Sequence, residues 1–146
     1  MRITPFSSLG APASGMRVYQ TWINALSDNV ANVSTVNPAG EPAFQERYVV
    51  ARASGGSAIA PAGAGASGGI GEGAYVAGTE YGDAEGRMVY QPDHPYADEY
   101  GMVRMPDMDL STQMTNLIIA QRAYQANVTV FERARDSYLR ALEIGR

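Results

Sequence analysis

Apolar residues near the N-terminus recur at steps of three and four. They occupy positions 16, 19, 23, 26, 30 and 33, a spacing that is typical of a heptad seam along one side of an α-helix. The pattern predicts a helix over residues 12–31, with Pro12 in its first turn, where a missing N–H is tolerated. We expect Pro12 to kink any continuous helix that begins earlier. Turn-forming residues at 34–40 mark its end.

A second, stronger helical pattern covers residues 110–143, and Asp109 is placed to cap it. Its seam runs through Leu110, Met114, Leu117, Gln121, Tyr124, Val128, Phe131, Arg135, Tyr138 and Leu142. Further apolar residues lie off that seam: Ile118, Ile119, Val130, Leu139 and Ile144. Because one partner helix cannot cover so wide an apolar surface, the pattern predicts contacts with other subunits.

Between the helices, short runs of β-branched and aromatic residues alternate with Gly, Asp and Pro turns. We expect strands near 44–51, 74–79, 87–90 and 101–104. Residues 53–73 hold eight Gly, six Ala and three Ser, a composition that cannot bury a core and that predicts a flexible loop.

The predicted fold class is α+β: long N- and C-terminal helices paired antiparallel like a coiled coil, with a small β-rich middle domain. The expected division is a helical segment at 1–35, the β-rich domain at 36–109, and a long helix at 110–146 that packs against 12–33.

Charge follows the same division. Residues 41–109 carry eleven acidic side chains and four Arg, a net charge of −7, whereas 1–40 carry +1 and 110–146 carry +2. This distribution suits helical ends that pack together and a middle that faces water. The mild overall charge of −4 provides no basic stripe for a nucleic acid.

The composition offers little catalytic chemistry. The chain has no Cys, which excludes disulfides and thiol nucleophiles. His94 is the only His, and although Asp93, Asp98 and Glu99 lie nearby, one His without spaced ligands is weak evidence for a metal site. We interpret His94 as a turn residue bonded to nearby backbone. We therefore expect no catalytic residue, metal, cofactor or small-molecule substrate.

Four segments resemble the flagellar axial proteins. Asn-Val-Ala-Asn at 29–32 is similar to the Asn-Ile-Ala-Asn motif in the N-terminal helix of rod and hook proteins. Arg-Ala-Tyr-Gln-Ala-Asn at 122–127 and the terminal Ala-Leu-Glu-Ile-Gly-Arg resemble basal-body rod proteins of the C type. Gln-Pro-Asp-His-Pro at 91–95 is similar to the Asp-Pro-x-His-Pro turn of that type. The resemblance covers about 13–35 and 86–146, and it is absent over 53–73.

This resemblance implies a non-enzymatic structural subunit of the proximal rod of the flagellar basal body. Such a subunit polymerises through its terminal helices into the tubular shaft that transmits torque and surrounds the export channel. The implied partners are proximal and distal rod subunits, copies of itself, the flagellar export apparatus and, as a further candidate, the MS-ring or rod adaptor. The implied location is the basal body, outside the cytoplasmic membrane, after export without a cleaved signal peptide.

Carried over to this sequence, the resemblance assigns the assembly interface to Met16, Tyr19, Ile23, Leu26, Asn29, Val30, Asn32, Met114, Leu117, Ile118, Arg122, Tyr124, Asn127, Val128, Phe131, Tyr138 and Leu142. Two alternatives stay open: another type of rod subunit, and a cytoplasmic coiled-coil adaptor that binds partner helices. A cell-wall hydrolase is a weaker third, because neither a metal site nor a paired-carboxylate pocket is visible.

Overall fold

The computed structural model describes residues 7–54 and 73–144. The elements in chain order are α1 (Ser7–Asn32), β1 (Asn37–Pro38), β2 (Arg47–Ala53), β3 (Ala74–Tyr81), β4 (Arg87–Tyr90), β5 (Met102–Met105) and α2 (Leu110–Ile144). Two long helices pack together and small antiparallel sheets lie between them in sequence, so the predicted α+β class is confirmed. The predicted flexible loop at 53–73 lies, for residues 55–72, outside the described residues.

The first helix begins earlier than predicted. α1 starts at Ser7, with Pro12 inside it, so the predicted start of the helix at residue 12 was wrong. Pro12 is the sixth residue of α1. It lies just beyond the first four residues, whose N–H groups have no intrahelical acceptor, so it removes a single hydrogen bond near the start of the helix. The Pro12 ring is buried, and this burial helps to offset the lost bond. The helix ends at Asn32, one residue beyond the predicted end.

The second helix closely matches its prediction. Asp109 accepts hydrogen bonds at Oδ2 from the Thr112 backbone N–H (2.8 Å) and from the Thr112 hydroxyl (2.7 Å). The Asp109 carbonyl accepts the first helical bond from Gln113 N (3.1 Å). The Thr112 hydroxyl first, and then the Thr112 backbone N–H, hold the pKa of the Asp109 carboxyl below its ordinary value. Asp109 is therefore the N-cap that the sequence predicts.

A three-stranded antiparallel sheet has the order β1-β5-β4. Val103 of the central strand is completely buried and lies opposite both Pro38 and Val89. The short strand β1 was not predicted, and its Pro38 is tolerated because β1 is an edge strand. The Arg104 side chain donates from Nε and Nη2 to the carbonyl of Ala39, at 3.1 and 2.7 Å, and thereby ties the turn after β1 to β5.

The chain forms two compact units, and each contains part of both helices. One comprises the described residues of Met1–Thr21, Val50–Gly78 and Ala120–Arg146, and the other comprises Trp22–Val49 and Thr79–Ile119. Prolines aside, the buried apolar residues of the described chain are Ala25, Leu26, Ala43, Val103 and Ala120. So small a core leaves much of the apolar surface of α2 uncovered.

Candidate assembly interface

The buried residues of α2 differ in part from the predicted seam. Where the seam has Met114 and Gln121, the residue just before each of them is buried instead. Gln113 and Ala120 are almost fully enclosed, at 1% and 0% exposure, whereas Met114 remains 44% exposed. The other half of the seam is half-buried as expected, at Leu117, Tyr124, Phe131 and Tyr138. Gln113 is enclosed although its side chain is large, because its amide is hydrogen-bonded to Asn29 and Glu46. At Ala120 the small methyl group allows close approach of a neighbouring element. Bulky apolar residues such as Met114 are left outside.

Three of these outer residues form what we name the α2 apolar stripe: Leu110, Met114 and Ile118. Their exposures are 47%, 44% and 47%. A spacing of four residues places them one above another on the same side of the helix. Further along α2, the exposed large apolar residues are Ile119, Val130, Leu139, Leu142 and Ile144. A row of exposed apolar side chains on one side of a helix is a candidate surface for contact with another protein.

Asn29, near the end of α1, forms hydrogen bonds inside the subunit. Its amide is fully enclosed and pairs with the backbone of Arg47, donating from Nδ2 to the Arg47 carbonyl (3.1 Å) and accepting at Oδ1 from the Arg47 N–H (2.9 Å). Nδ2 also donates to Oε1 of Gln113 (3.1 Å). Asn29 thus joins the end of α1 to the start of β2 and to the first turns of α2.

Glu46 extends this network toward the surface. Gln113 Nε2 donates to Glu46 Oε1, and the Tyr48 hydroxyl donates to Glu46 Oε2, each at 2.6 Å. The hydrogen bond to Glu46, followed by partial burial and the charge of Glu46, raises the pKa of Tyr48 to about 12. Among the described residues, every buried side-chain N or O atom has a hydrogen-bond partner. Sequence analysis missed Gln113 and Glu46 as members of this cluster.

Polar side chains form different hydrogen bonds at the two ends of α1. Near its start, the buried Ser14 hydroxyl donates to the carbonyl of Ala11 (2.7 Å) and accepts from the backbone N–H of Ala74 at the start of β3 (3.0 Å). At its end, Asn32 Nδ2 donates to the carbonyl of Asp28 (2.8 Å). This bond joins two residues four positions apart within the last turns of α1.

The residues assigned to the interface by resemblance fall into two groups. Leu26 and Asn29 are enclosed, at 3% and 0% exposure, so neither side chain is available to a neighbour in this conformation. The enclosure of Asn29 follows from its pairing with β2, which the helix pattern alone does not indicate. The remaining assigned residues are half-buried or exposed: Met16, Tyr19, Ile23, Val30, Asn32, Met114, Leu117, Ile118, Arg122, Tyr124, Asn127, Val128, Phe131, Tyr138 and Leu142.

The segment around His94 forms a structured turn. His94 Nδ1 accepts from the backbone N–H of Tyr96 (3.2 Å), and the His94 N–H donates to the carbonyl of Gln91 (3.1 Å). Asp98 Oδ1 accepts from the N–H groups of Tyr100 and Met102. These bonds confirm the interpretation of His94 as a turn residue. Within 7–54 and 73–144, acidic and His side chains nowhere cluster in a way that would hold a metal ion.

Neither of the two helices, over the part of the chain that the structure describes, has an apolar stretch long enough to cross a membrane. A family model described as flagellar basal body rod FlgEFG protein C-terminal matches residues 100–144. The matched segment contains β5, the Asp109 cap and the whole α2 apolar stripe. This C-terminal segment, 45 of the 146 residues, is thus similar to the class of flagellar basal-body rod proteins.

Relatives that carry the name flagellar basal-body rod protein FlgC are similar over most of the chain. The Bacillus subtilis protein is 31% identical over 150 residues, which cover 99% of this chain and all of the relative. The Borreliella burgdorferi protein is 32% identical over 150 residues, covering 95% and 96%. The Yersinia enterocolitica protein is 35% identical over 125 residues, covering 85% of each chain. The chain therefore belongs to the FlgC family of flagellar basal-body rod proteins.

Membership in this family defines a structural role. The chain is a structural subunit of the rod in the flagellar basal body, where it assembles with other basal-body components, and it is not an enzyme. The similarity also reaches beyond the segments 13–35 and 86–146 that carried the resemblance, because the Bacillus subtilis relative aligns with nearly the whole chain.

Proposed function

We propose that this subunit occupies the proximal rod and polymerises there through its terminal helices. The observation that carries the proposal is the α2 apolar stripe, which leaves three large side chains about half exposed on one side of a long helix. Covering the exposed half of each one gains on the order of 1 kcal/mol from the hydrophobic effect. Repeated in every copy, such contacts accumulate along a shaft.

The proposed interface contains the exposed and half-buried members of the assigned set, with Met114 and Ile118 at its centre. Leu26 and Asn29 support it from inside the subunit. In this proposal α1 and α2 belong to the wall of the tube, while the β-rich part of 36–109 forms a separate domain facing water. The acidic character of that middle region, −7 over 41–109, is consistent with a hydrated position.

The proposed partners are proximal and distal rod subunits, further copies of this chain, the export apparatus, and the MS-ring or rod adaptor. The assembled shaft surrounds the export channel and transmits torque through the many contacts between helices. We also propose that the subunit is exported without a cleaved signal peptide to its place outside the cytoplasmic membrane. Family membership supports these assignments, and a chain without Cys does not form trapped disulfides during transit.

Two substitutions of one stripe residue test the interface. Ile118→Asp places a charge where the neighbour must bind, whereas Ile118→Leu keeps an apolar side chain of equal size as the matched control. Because Ile118 is 47% exposed, we expect both variants to keep the helical circular dichroism spectrum of the unchanged chain. Only Ile118→Asp should be absent from purified basal bodies and abolish motility. Normal incorporation of Ile118→Asp would contradict the proposed interface.

A further inference from the structure

The enclosed amides of Asn29 and Gln113 join α1, β2 and α2 by hydrogen bonds. Asn29 is 0% exposed and Gln113 is 1% exposed. Each amide bonds to two other parts of the chain. Asn29 bonds to Arg47 of β2 and to Gln113 of α2. Gln113 bonds to Asn29 of α1 and to Glu46, the residue just before β2. Enclosed amides are costly unless every partner is in place.

The apolar pattern of the helices does not by itself select this alignment. Small or polar residues recur on the inner side of α2 every seven positions, at Gln113, Ala120 and Asn127. A slide of α2 by one heptad, about 10 Å along its axis, would therefore present a similar surface to α1. In that slipped alignment Ala120 would replace Gln113 opposite Asn29, and the enclosed Asn29 amide would lose one of its two acceptors, keeping only the Arg47 carbonyl.

We infer that Asn29 and Gln113 are the register-determining pair of this subunit, which fixes one alignment of α1, β2 and α2. A buried polar pair between helices commonly selects one register at some expense of stability. The alignment sets the position of α2 along the axis of α1, and the pair thus determines at which level of the subunit the α2 apolar stripe is displayed. The consequence for the rod rests on the proposed function, whereas the register itself is a property of the single chain.

A disulfide at a second point of helix contact reports the register. A Cβ at position 15 would lie 3.1 Å from Cγ of Asn127, so cysteines introduced by Gly15→Cys and Asn127→Cys lie within the span of a disulfide. The natural chain has no Cys, which makes this crosslink the only one that the doubly substituted full-length chain can form internally. A heptad slip separates the two sulfurs and prevents the bond.

Exchanging the amide of Gln113 with the carboxylate of Glu46 tests the Asn29–Gln113 pair in the chain that carries the two introduced cysteines. Gln113→Glu places a carboxylate against the Glu46 carboxylate, at a position where N and O are now 2.6 Å apart, and we expect loss of the crosslink. Adding Glu46→Gln restores the bond between positions 46 and 113 with its direction reversed, because an amide at 46 can donate to the carboxylate at 113 and still accept from Tyr48. We expect the exchanged chain to regain the crosslink.

A third variant distinguishes a loss of register from unfolding of the chain. Gln113→Met keeps the length of the side chain and adds no charge, so the helices should persist by circular dichroism while the crosslink yield falls. Retention of the full crosslink yield by Gln113→Glu or Gln113→Met would overturn the inference, as would its failure to return in the exchanged chain. Because the crosslink is measured on the purified subunit, it can succeed even where incorporation into the rod fails, which separates this inference from the proposed function.

Discussion

Gly15 of α1 lies directly against Asn127 of α2. A Cβ built on Gly15 would meet Asn127 Oδ1 at 2.6 Å, so a residue without a side chain is required at this approach. Asn127 Nδ2 donates to the carbonyl of Ala123 (2.8 Å), which fixes the orientation of the amide that Gly15 contacts. The neighbour at Gly15 is the second helix of the same chain.

Replacing Gly15 should therefore destabilise the subunit. We expect Gly15→Leu to lower the free energy of unfolding by about 1–3 kcal/mol, since the added side chain overpacks the contact with Asn127. Gly10→Leu is the matched control in the same helix, because a Cβ there meets nothing within 4 Å. The control should be neutral or stabilising, since a glycine within a helix is unfavourable. Urea unfolding of both purified chains checks this, and equal midpoints would contradict the close approach.

Removing the cap of α2 should weaken the start of that helix. Asp109→Ala leaves the Thr112 N–H without its side-chain acceptor, whereas Asp107→Ala, at an exposed position just before it, is the control. The pKa of Asp109 is lowered in the folded chain, so its contribution is present above the ordinary carboxyl pKa and is lost as the pH falls through the folded value. Thermal unfolding at neutral and acid pH should separate the two variants only at neutral pH.

Tyr48 should make stability depend on alkaline pH. Its folded pKa of about 12 exceeds the ordinary value of 10.0, so the neutral phenol bonded to Glu46 stabilises the fold below pH 10. That contribution decreases as the pH rises toward 12. Because Tyr48 is 48% exposed, we expect a small effect. Tyr48→Phe should flatten the stability curve in this window, and an unchanged slope in unfolding experiments would argue against the bond.

Tyr124 lies on the part of the α2 seam that is half-buried. Tyr124→Ala removes a ring from the helix contact and should cost about 1–3 kcal/mol, below the value for a fully buried aromatic side chain. We expect the variant to be expressed but not incorporated into the rod. Gln125→Ala, at the exposed neighbouring position, should assemble normally. Normal motility of cells that carry only the Tyr124→Ala chain would count against a role for this ring.

Local signals made the helix α2 predictable. Asp109 and the long apolar period are both readable from neighbouring residues, and the observed Leu110–Ile144 differs by one residue from the prediction. The start of α1 was not predictable in the same way. The cost of Pro12 within a helix is local, whereas the burial of its ring depends on residues distant in the sequence.

The inner side of α2 was misassigned because hydrophobicity was taken to indicate burial. In a subunit that offers its apolar residues to neighbours, bulky side chains such as Met114 stay outside. Gln113 and Ala120 are buried instead. The seven-residue recurrence of small and polar residues was the available sequence signal for this arrangement. The partner of Asn29, by contrast, lies 84 residues away, and nothing in the helix pattern points to it.

Mass spectrometry of detergent-purified hook–basal bodies from the source cells tests the central claim most directly. If the chain is a structural subunit of the rod, its peptides will be present in these particles together with those of the other rod proteins. Absence of the chain from intact basal bodies, while it is abundant in the cytoplasm of the same cells, would contradict that role and favour a cytoplasmic coiled-coil adaptor.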